Sequence, residues 1–546
     1  MRAIPIGQRV RTGLAAGAAA TAVLIAAAAC TSATTTPGAS KSASSSAGQS
    51  ASTNPGTPLV AATAGGTVRG QAVAATDEFL GIPYAAPPVG ALRWQPPRPA
   101  APWRGVRPAT SYAPHCPQSS STFGQASTSE DCLYLNVFTP ATSKARNLPV
   151  MVWVHGGSLL TGESNDYNPA ELVRHGVVVV TINYRLGALG FLADAALARR
   201  PGGPSGNYGL MDQQAALRWV QRNIGAFGGD RRDVTIAGES AGGLSVLSQL
   251  VSPRARGLFA RAIVESGTYA LTQAPLATAE SAGASFATKV GCTSHVASCL
   301  RHLPVTTIIG NENLGGYQPN LDGRVLPQSI GAALKSGQFH RVPVIIGTNH
   351  DEWRLFVGLD QLEGTPPVTA ANYQSMISST LGVPAAAAAV IAAKYPLSAY
   401  SSPAVALGAV GTDAIFACPA VSAELSLSQY VPTYAYEFND ENAPMRFLPN
   451  VGFPYGAYHA AELQYLFTLS SAPLPGTFSP AQQDLAAAMQ RDWTTFARFG
   501  APAFGAAWPR FTPTGLQALS LVPPRPQVET DFVAEHQCAF WASLAG

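Results

Sequence analysis

Short apolar runs alternate with segments of helical spacing along most of this chain. Val150–Val154 and Val177–Asn183 (VVVVTIN) are apolar and β-branched nearly throughout. That is the pattern of strands covered on both faces. Asp233–Ala237 and Val344–Ile346 read the same way, and Thr433–Phe438 alternates along a strand. Between Leu210 and Ile224, apolar residues recur at Leu210, Leu217, Val220 and Ile224, which predicts a helix; Leu244–Val251 predicts another. Alternating strands and helices predict an α/β fold with a mostly parallel central sheet, connections of one hand, and ligands at the carboxyl ends of strands. From Leu59 to Gly546 no repeat or second linker interrupts the pattern, so residues 59–546 read as one domain.

The first 58 residues break the pattern. Arg2, Arg9 and Arg11 precede an apolar run from Gly13 to Ala29 that is short and Ala-rich for a membrane span. Residues 1–29 therefore read as a signal peptide. The run ends Ala27-Ala28-Ala29-Cys30, similar to a bacterial lipobox with Cys30 as the lipid attachment site, although Ala27 stands where that motif usually has leucine. The alternative is an ordinary secretory signal cleaved near Cys30. Residues 30–58 are Ser, Thr, Ala, Gly and Pro with almost no large apolar side chain. Such a segment reads as a flexible tether. The expected location is outside the cytoplasm, as an envelope lipoprotein or a secreted protein, with membrane contact only through the anchor.

Composition adds little beyond this. The 546 residues are 47% hydrophobic, enough for a large core, although much of that is alanine. The net charge of +3 is matched by the three N-terminal arginines, and no Lys/Arg cluster stands out elsewhere. Basicity therefore gives no reason to expect a nucleic-acid partner. Arginine-rich, alanine-rich usage points to a GC-rich bacterial source. Of 7 cysteines, setting Cys30 aside leaves Cys116, Cys132, Cys292, Cys299, Cys418 and Cys538. An even set in an exported chain suggests disulfides, and spacing alone does not choose among their pairings.

The chemistry concentrates at Gly238-Glu239-Ser240-Ala241-Gly242-Gly243, between the strand Asp233–Ala237 and the helix Leu244–Val251. Strand, G-x-S-x-G, helix is the context of a nucleophile elbow, where a tight turn lifts one hydroxyl to the top of a sheet. Side chains at Gly238 and Gly242 would meet neighbouring backbone. Such a serine needs a base, a group to orient the base, and donors for the oxyanion. His155-Gly156-Gly157 follows the strand ending at Val154 and supplies candidate donors, with Gly162 keeping that loop open. The Ala241 N–H is the expected further donor, and His155 reads as structural. Asp351 and Glu352, after Val344–Ile346, are both candidate acids. His459 and His536 are the later candidate bases, with His536 near Cys538 better suited to structure.

These motifs together resemble the type-B carboxylesterase/lipase family, the α/β-hydrolase branch that includes the cholinesterases. The resemblance runs through Phe79–Ala85, Pro87–Gly90, Glu130–Val137, Asn183–Leu186, Asn207–Gln213 and Phe227–Gly243. It implies an α/β-hydrolase fold with insertions around the active site and a serine carboxylesterase working through an acyl-enzyme, without metal or cofactor. It implies Ser240 as nucleophile, Glu352 rather than Asp351 as the acid, His459 as the base, and Gly156, Gly157 and Ala241 as the oxyanion hole. It places Glu239 beside the nucleophile and Ser266 behind the triad, hydrogen-bonding the acid. It pairs Cys116 with Cys132, Cys292 with Cys299, and Cys418 with Cys538. Two departures stand out. Trp353 replaces the glycine usual after the acid. The loop between Cys116 and Cys132 carries only Phe123 where cholinesterases have a tryptophan, which argues against a choline ester. Two other readings are a lipase with Thr365–Ala393 as its lid, and a non-catalytic binding protein of the same fold. Acyl length, alcohol preference and oligomeric state are not legible.

Overall fold

The apolar runs form the middle of an eleven-stranded sheet in the computed structural model. The structure describes residues 59–141, 146–198, 203–313, 315–502 and 508–544; the expected signal sequence, tether and Cys30 lie outside them. In chain order the strands are β1 (Gln71–Val73), β2 (Thr76–Pro83), β3 (Tyr134–Pro140), β4 (Leu148–Val154), β5 (Val178–Ile182), β6 (Gly229–Glu239), β7 (Arg261–Glu265), β8 (Val344–Asn349), β9 (Thr433–Phe438), β10 (Ala518–Leu521) and β11 (Gln527–Glu529). Across the sheet they run β11-β10-β9-β8-β7-β6-β4-β5-β3-β2-β1. Every pairing from β10 across to β5 is parallel. Both margins are antiparallel.

Each predicted strand lies in this sheet. β4 and β5 are buried at every residue because both faces are covered. Val150, Val152 and Val154 join one core and Met151 and Trp153 the other, which is the two-residue period of a strand serving two layers. β9 alternates polar and apolar residues, a pattern that suits a half-exposed strand, yet it is buried throughout. It lies inside the sheet between β8 and β10, and its Glu437 is matched by His536 at 2.7 Å.

Helix α1 (Tyr208–Asn223) buries the predicted Leu210, Leu217 and Val220. Helix α2 (Ala241–Val251) is buried on all sides and packs on β6 and β7. Helix α3 (Glu352–Leu362) follows β8. The long apolar helix Pro403–Ser428 has the length and composition of a membrane span, but 72% of its apolar window is buried inside the protein. A π-helical turn, Thr412–Ala417, interrupts it.

Cys116–Cys132, Cys292–Cys299 and Cys418–Cys538 are all bonded, with Cα separations of 4.9, 5.5 and 5.1 Å. The stretch Thr365–Ala393 carries the helices Tyr373–Leu381 and Ala385–Lys394. Their Tyr373, Ile377, Leu381, Ala388 and Ile391 are spent in the core, while Ala385, Ala386, Ala389, Val390 and Ala393 of the second helix stay exposed.

Candidate active site

β6 ends at Glu239 and α2 begins at Ala241, so Ser240 alone makes the turn, with φ 55° and ψ −119°. A non-glycine residue in that region is strained and persists only where its surroundings hold it. Here the Ser240 N–H donates to Glu265 O on the neighbouring strand, and Ser240 O accepts from Leu244 N–H, both at 2.9 Å. Gly238 and Gly242 permit the turn: a Cβ on Gly238 would stand 2.6 Å from Val154 O, and one on Gly242 would strike the same carbonyl.

That carbonyl belongs to β4, so the loop after β4 lies against the elbow. A Cβ on Gly156 would stand 2.8 Å from Glu239 Oε2 and 3.2 Å from Ser240 Cβ. Gly157 O accepts from Leu160 and Thr161 N–H, and the Gly162 N–H donates to Gln118 Oε1 at 2.8 Å. His155 is fully buried, stacked on Tyr184, and pushed down to about 4 by burial. It is neutral and structural, as expected.

Glu352 and His459 meet. His459 Nδ1 lies 2.5 Å from Glu352 Oε2. The other Glu352 oxygen accepts from Thr348 Oγ1 at 2.6 Å and from the Asn349 N–H at 2.9 Å. The imidazole is flanked by Phe356 and Phe416, with ring centroids 5.0 and 5.1 Å away. Asp351, one residue before, points elsewhere. It accepts from Ala457 N–H at 2.9 Å and pairs with Arg354 at 2.7 Å. Burial pushes its carboxyl up, but His350 and Arg354 beside it hold it below the usual range. His536 is buried between Asp413 (2.6 Å) and Glu437 (2.7 Å), far in role from a free base.

Ser240, His459, Glu239, Gly156 and Gly157 line one cavity. Phe123 joins them and packs on Phe447 at 5.1 Å, so the Cys116–Cys132 loop does form part of the wall. Glu239 Oε1 approaches His459 Nε2 to 3.2 Å but makes no hydrogen bond. Burial, then the nearby Glu352 and Glu265, push the Glu239 carboxyl well up.

Ser266 departs from expectation. It is fully buried at φ 49° behind the elbow, but its hydroxyl makes no hydrogen bond among the described residues. Thr348 and the Asn349 N–H occupy the Glu352 oxygen instead. Trp353 lies in the core against Phe356 at 4.6 Å and Phe416 at 6.3 Å, so it supports the two rings that flank His459.

Three parts escaped the sequence reading. The Tyr269 hydroxyl shares a hydrogen bond with Ser240. Glu265 and Glu462 are buried beneath the site, Glu265 taking the Trp493 indole N–H at 2.8 Å and Glu462 the Asn349 amide at 2.5 Å. Burial raises both carboxyls, Glu265 to about 8. Glu265 and Glu462 sit within segments already singled out, next to Ser266 and His459; Tyr269 carried no signal.

The carboxylesterase family profile matches residues 57–541. This chain belongs to the carboxylesterase family. It is 36% identical over 485 residues to a para-nitrobenzyl esterase of Bacillus subtilis (strain 168), spanning 83% of this chain and 93% of that one. It is 35% identical to an acylcarnitine hydrolase of Mus musculus, over 79% of this chain and 80% of that one. It is 34% identical to a fumonisin B1 esterase of Sphingopyxis macrogoltabida, over 84% and 85% of the two chains. The protein is a carboxylic ester hydrolase of the α/β-hydrolase fold, acting on small-molecule esters. His350, Glu437 and His536 bring potential metal-ligating atoms within 4.8 Å of one another, but each of the two imidazoles already pairs with carboxylates through both nitrogens.

Proposed function

We propose that this esterase works through a covalent acyl-enzyme on Ser240, with His459 as base and Glu352 as the acid that orients it. The observation that carries the reading is the 2.5 Å contact of His459 Nδ1 with Glu352 Oε2, in a cavity whose wall also includes Ser240. An acceptor at Nδ1 keeps the proton there and leaves Nε2 free to take one from the serine. Ser240 Oγ attacks the ester carbonyl as His459 takes its proton. The N–H groups of Gly156, Gly157 and Ala241 receive the oxyanion, each such donor contributing about 3–4 kcal/mol to the transition state. His459 then protonates the departing alcohol, and water, activated by the same imidazole, releases the acid. Glu352 stabilises the imidazolium that forms.

A para-nitrobenzyl ester, suggested by the bacterial relative, is the first substrate to try. Export is part of this reading: the N-terminal arginines, the apolar run and Cys30 fit a signal peptide and lipid attachment, with residues 30–58 as a tether to the domain 59–546. The test compares p-nitrophenyl acetate, butyrate and octanoate with the wild type and Ser240→Ala. A loss of roughly a thousandfold or more in the variant supports the acyl-enzyme. Equal rates in the two proteins refute it.

A further inference from the structure

The amino ends of the central strands carry a positive surface that the reaction does not use. Arg218 and Arg222 lie one turn apart toward the end of α1, Arg231 and Arg232 stand at the start of β6, and Arg254 and Arg256 lie between α2 and β7. Hydrogen bonds fasten the three segments together. Arg218 Nη2 donates to Arg254 O at 3.0 Å, and Gln221 Nε2 donates to Arg231 O at 2.8 Å and to Leu258 O at 2.9 Å. Arg218 is half-buried and the other five arginines are exposed. Among the described residues none of the six pairs with a carboxylate. Of the two acids in the same stretch, Asp233 pairs with Arg261, and Asp230 accepts the Arg232 backbone N–H at 2.9 Å. Partial burial, then the charges of Arg254 and Arg222, hold the Arg218 guanidinium below its usual range. These cations repel one another, and the fold gathers them from segments that form no basic run in the sequence.

We propose that this arginine surface docks the domain on an anionic phospholipid bilayer, with the catalytic cavity facing away from it. Guanidinium groups match phosphate in geometry, and each basic side chain near an anionic leaflet strengthens binding about fivefold. A nucleic acid would need aromatic platforms for its bases, but Trp219, Phe227 and Phe259 of this region are buried. Ser240 follows the last residue of β6, roughly 25 Å along the strand from Arg232, so contact at the arginine end leaves the cavity open. The chain also enters the domain at this end. The Ala64 N–H donates to Asn223 Oδ1 at 2.7 Å, next to Arg222. The export reading, on which this clause alone rests, links Leu59 through residues 30–58 to a lipid on Cys30.

The test sediments the full chain, and the triple variant Arg222→Gln, Arg231→Gln, Arg232→Gln, with vesicles of phosphatidylcholine alone or mixed equally with phosphatidylglycerol. Among the described residues no hydrogen bond or ion pair uses those three guanidinium groups, so the thermal midpoint and p-nitrophenyl butyrate hydrolysis should match wild type. Arg2, Arg9 and Arg11 are common to both proteins, so the difference between them is what is read. Wild type should bind the anionic vesicles about ten- to a hundredfold more tightly than the variant, with the gap closing at high salt. A gap below about tenfold overturns the proposal. So does tighter binding of wild type to a duplex oligonucleotide than to the anionic vesicles. Amide exchange of the vesicle-bound protein should slow over 253–260 and not over 156–162; protection of the second stretch instead refutes the orientation. Vesicle binding lost with hydrolysis intact sinks this inference alone, and absent hydrolysis in wild type sinks the esterase reading alone.

Discussion

Glu352→Gln is the sharpest test of how the imidazole is held, and the structure says which way the new amide will sit. In the wild type Oε1 faces two donors, the Thr348 hydroxyl at 2.6 Å and the Asn349 backbone N–H at 2.9 Å, while Oε2 faces His459 Nδ1. The hydroxyl can rotate to accept, but the Asn349 N–H cannot. An amide with its NH2 on that side would leave a fully buried N–H unpaired, at a cost of about 1–3 kcal/mol. That is roughly a 5- to 150-fold preference for the carbonyl oxygen staying beside Asn349. The NH2 must then face His459, where it meets the ring only as a donor. Nδ1 becomes the acceptor, the proton moves to Nε2, and the nitrogen meant to take the serine proton is occupied. A wrong tautomer of this kind lowers kcat by about ten-thousandfold in a Ser-His-acid triad. We expect a kcat loss of about 10³–10⁴, or about 4–5.5 kcal/mol, with KM changed by only a few-fold. The assay is steady-state hydrolysis of p-nitrophenyl butyrate, with the thermal midpoint measured to show that the variant is folded. Asp351→Asn is the neighbouring control: its amide oxygen can still accept from the Ala457 N–H, but the charge that pairs with Arg354 and His350 is lost, so it should lower stability while kcat falls less than about tenfold. A folded Glu352→Gln with kcat within tenfold of wild type refutes the assignment.

The other predictions follow from single contacts. Gly156→Ala should lower kcat by about a hundredfold or more, because its methyl would stand 2.8 Å from Glu239 Oε2 and force the donor loop off the elbow; an unchanged kcat would remove Gly156 from the oxyanion hole. Replacing Cys418 and Cys538 together by serine opens a link across 120 residues and should cost roughly 2–5 kcal/mol, read as a lower urea midpoint. Burial alone would lower the His536 pKa, but Glu437 and Asp413 raise it to about 10. Its stabilisation is therefore complete below the unfolded value of about 6.5 and lost as pH rises through about 10. Thermal midpoints of wild type and His536→Gln should converge across that window, and a gap that widens with pH would reverse the reasoning.

The sequence by itself determined the sheet's interior and the elbow. β4 and β5 could be read because strands buried on both faces need unbroken apolar runs, and those runs need no partner to be recognised. The elbow could be read because its constraints are local: a Cβ on Gly238 or Gly242 meets the backbone whatever lies beyond the turn. The choice between Asp351 and Glu352 was different. Both are acids in one loop, and family resemblance favoured Glu352. The physical difference is that Thr348 and the Asn349 N–H hold one carboxylate toward His459, 107 residues away, while Arg354 and Ala457 claim the other. Ser266 and Tyr269 show the same limit. The Glu352 oxygen that the Ser266 hydroxyl was expected to meet is taken by Thr348 and the Asn349 N–H, and Tyr269 meets Ser240 only once the chain is folded. Periodicity and steric exclusion act along the chain and are written in it. Hydrogen-bond partners, burial and the resulting charge states arise between distant segments, and only the tertiary structure decided them.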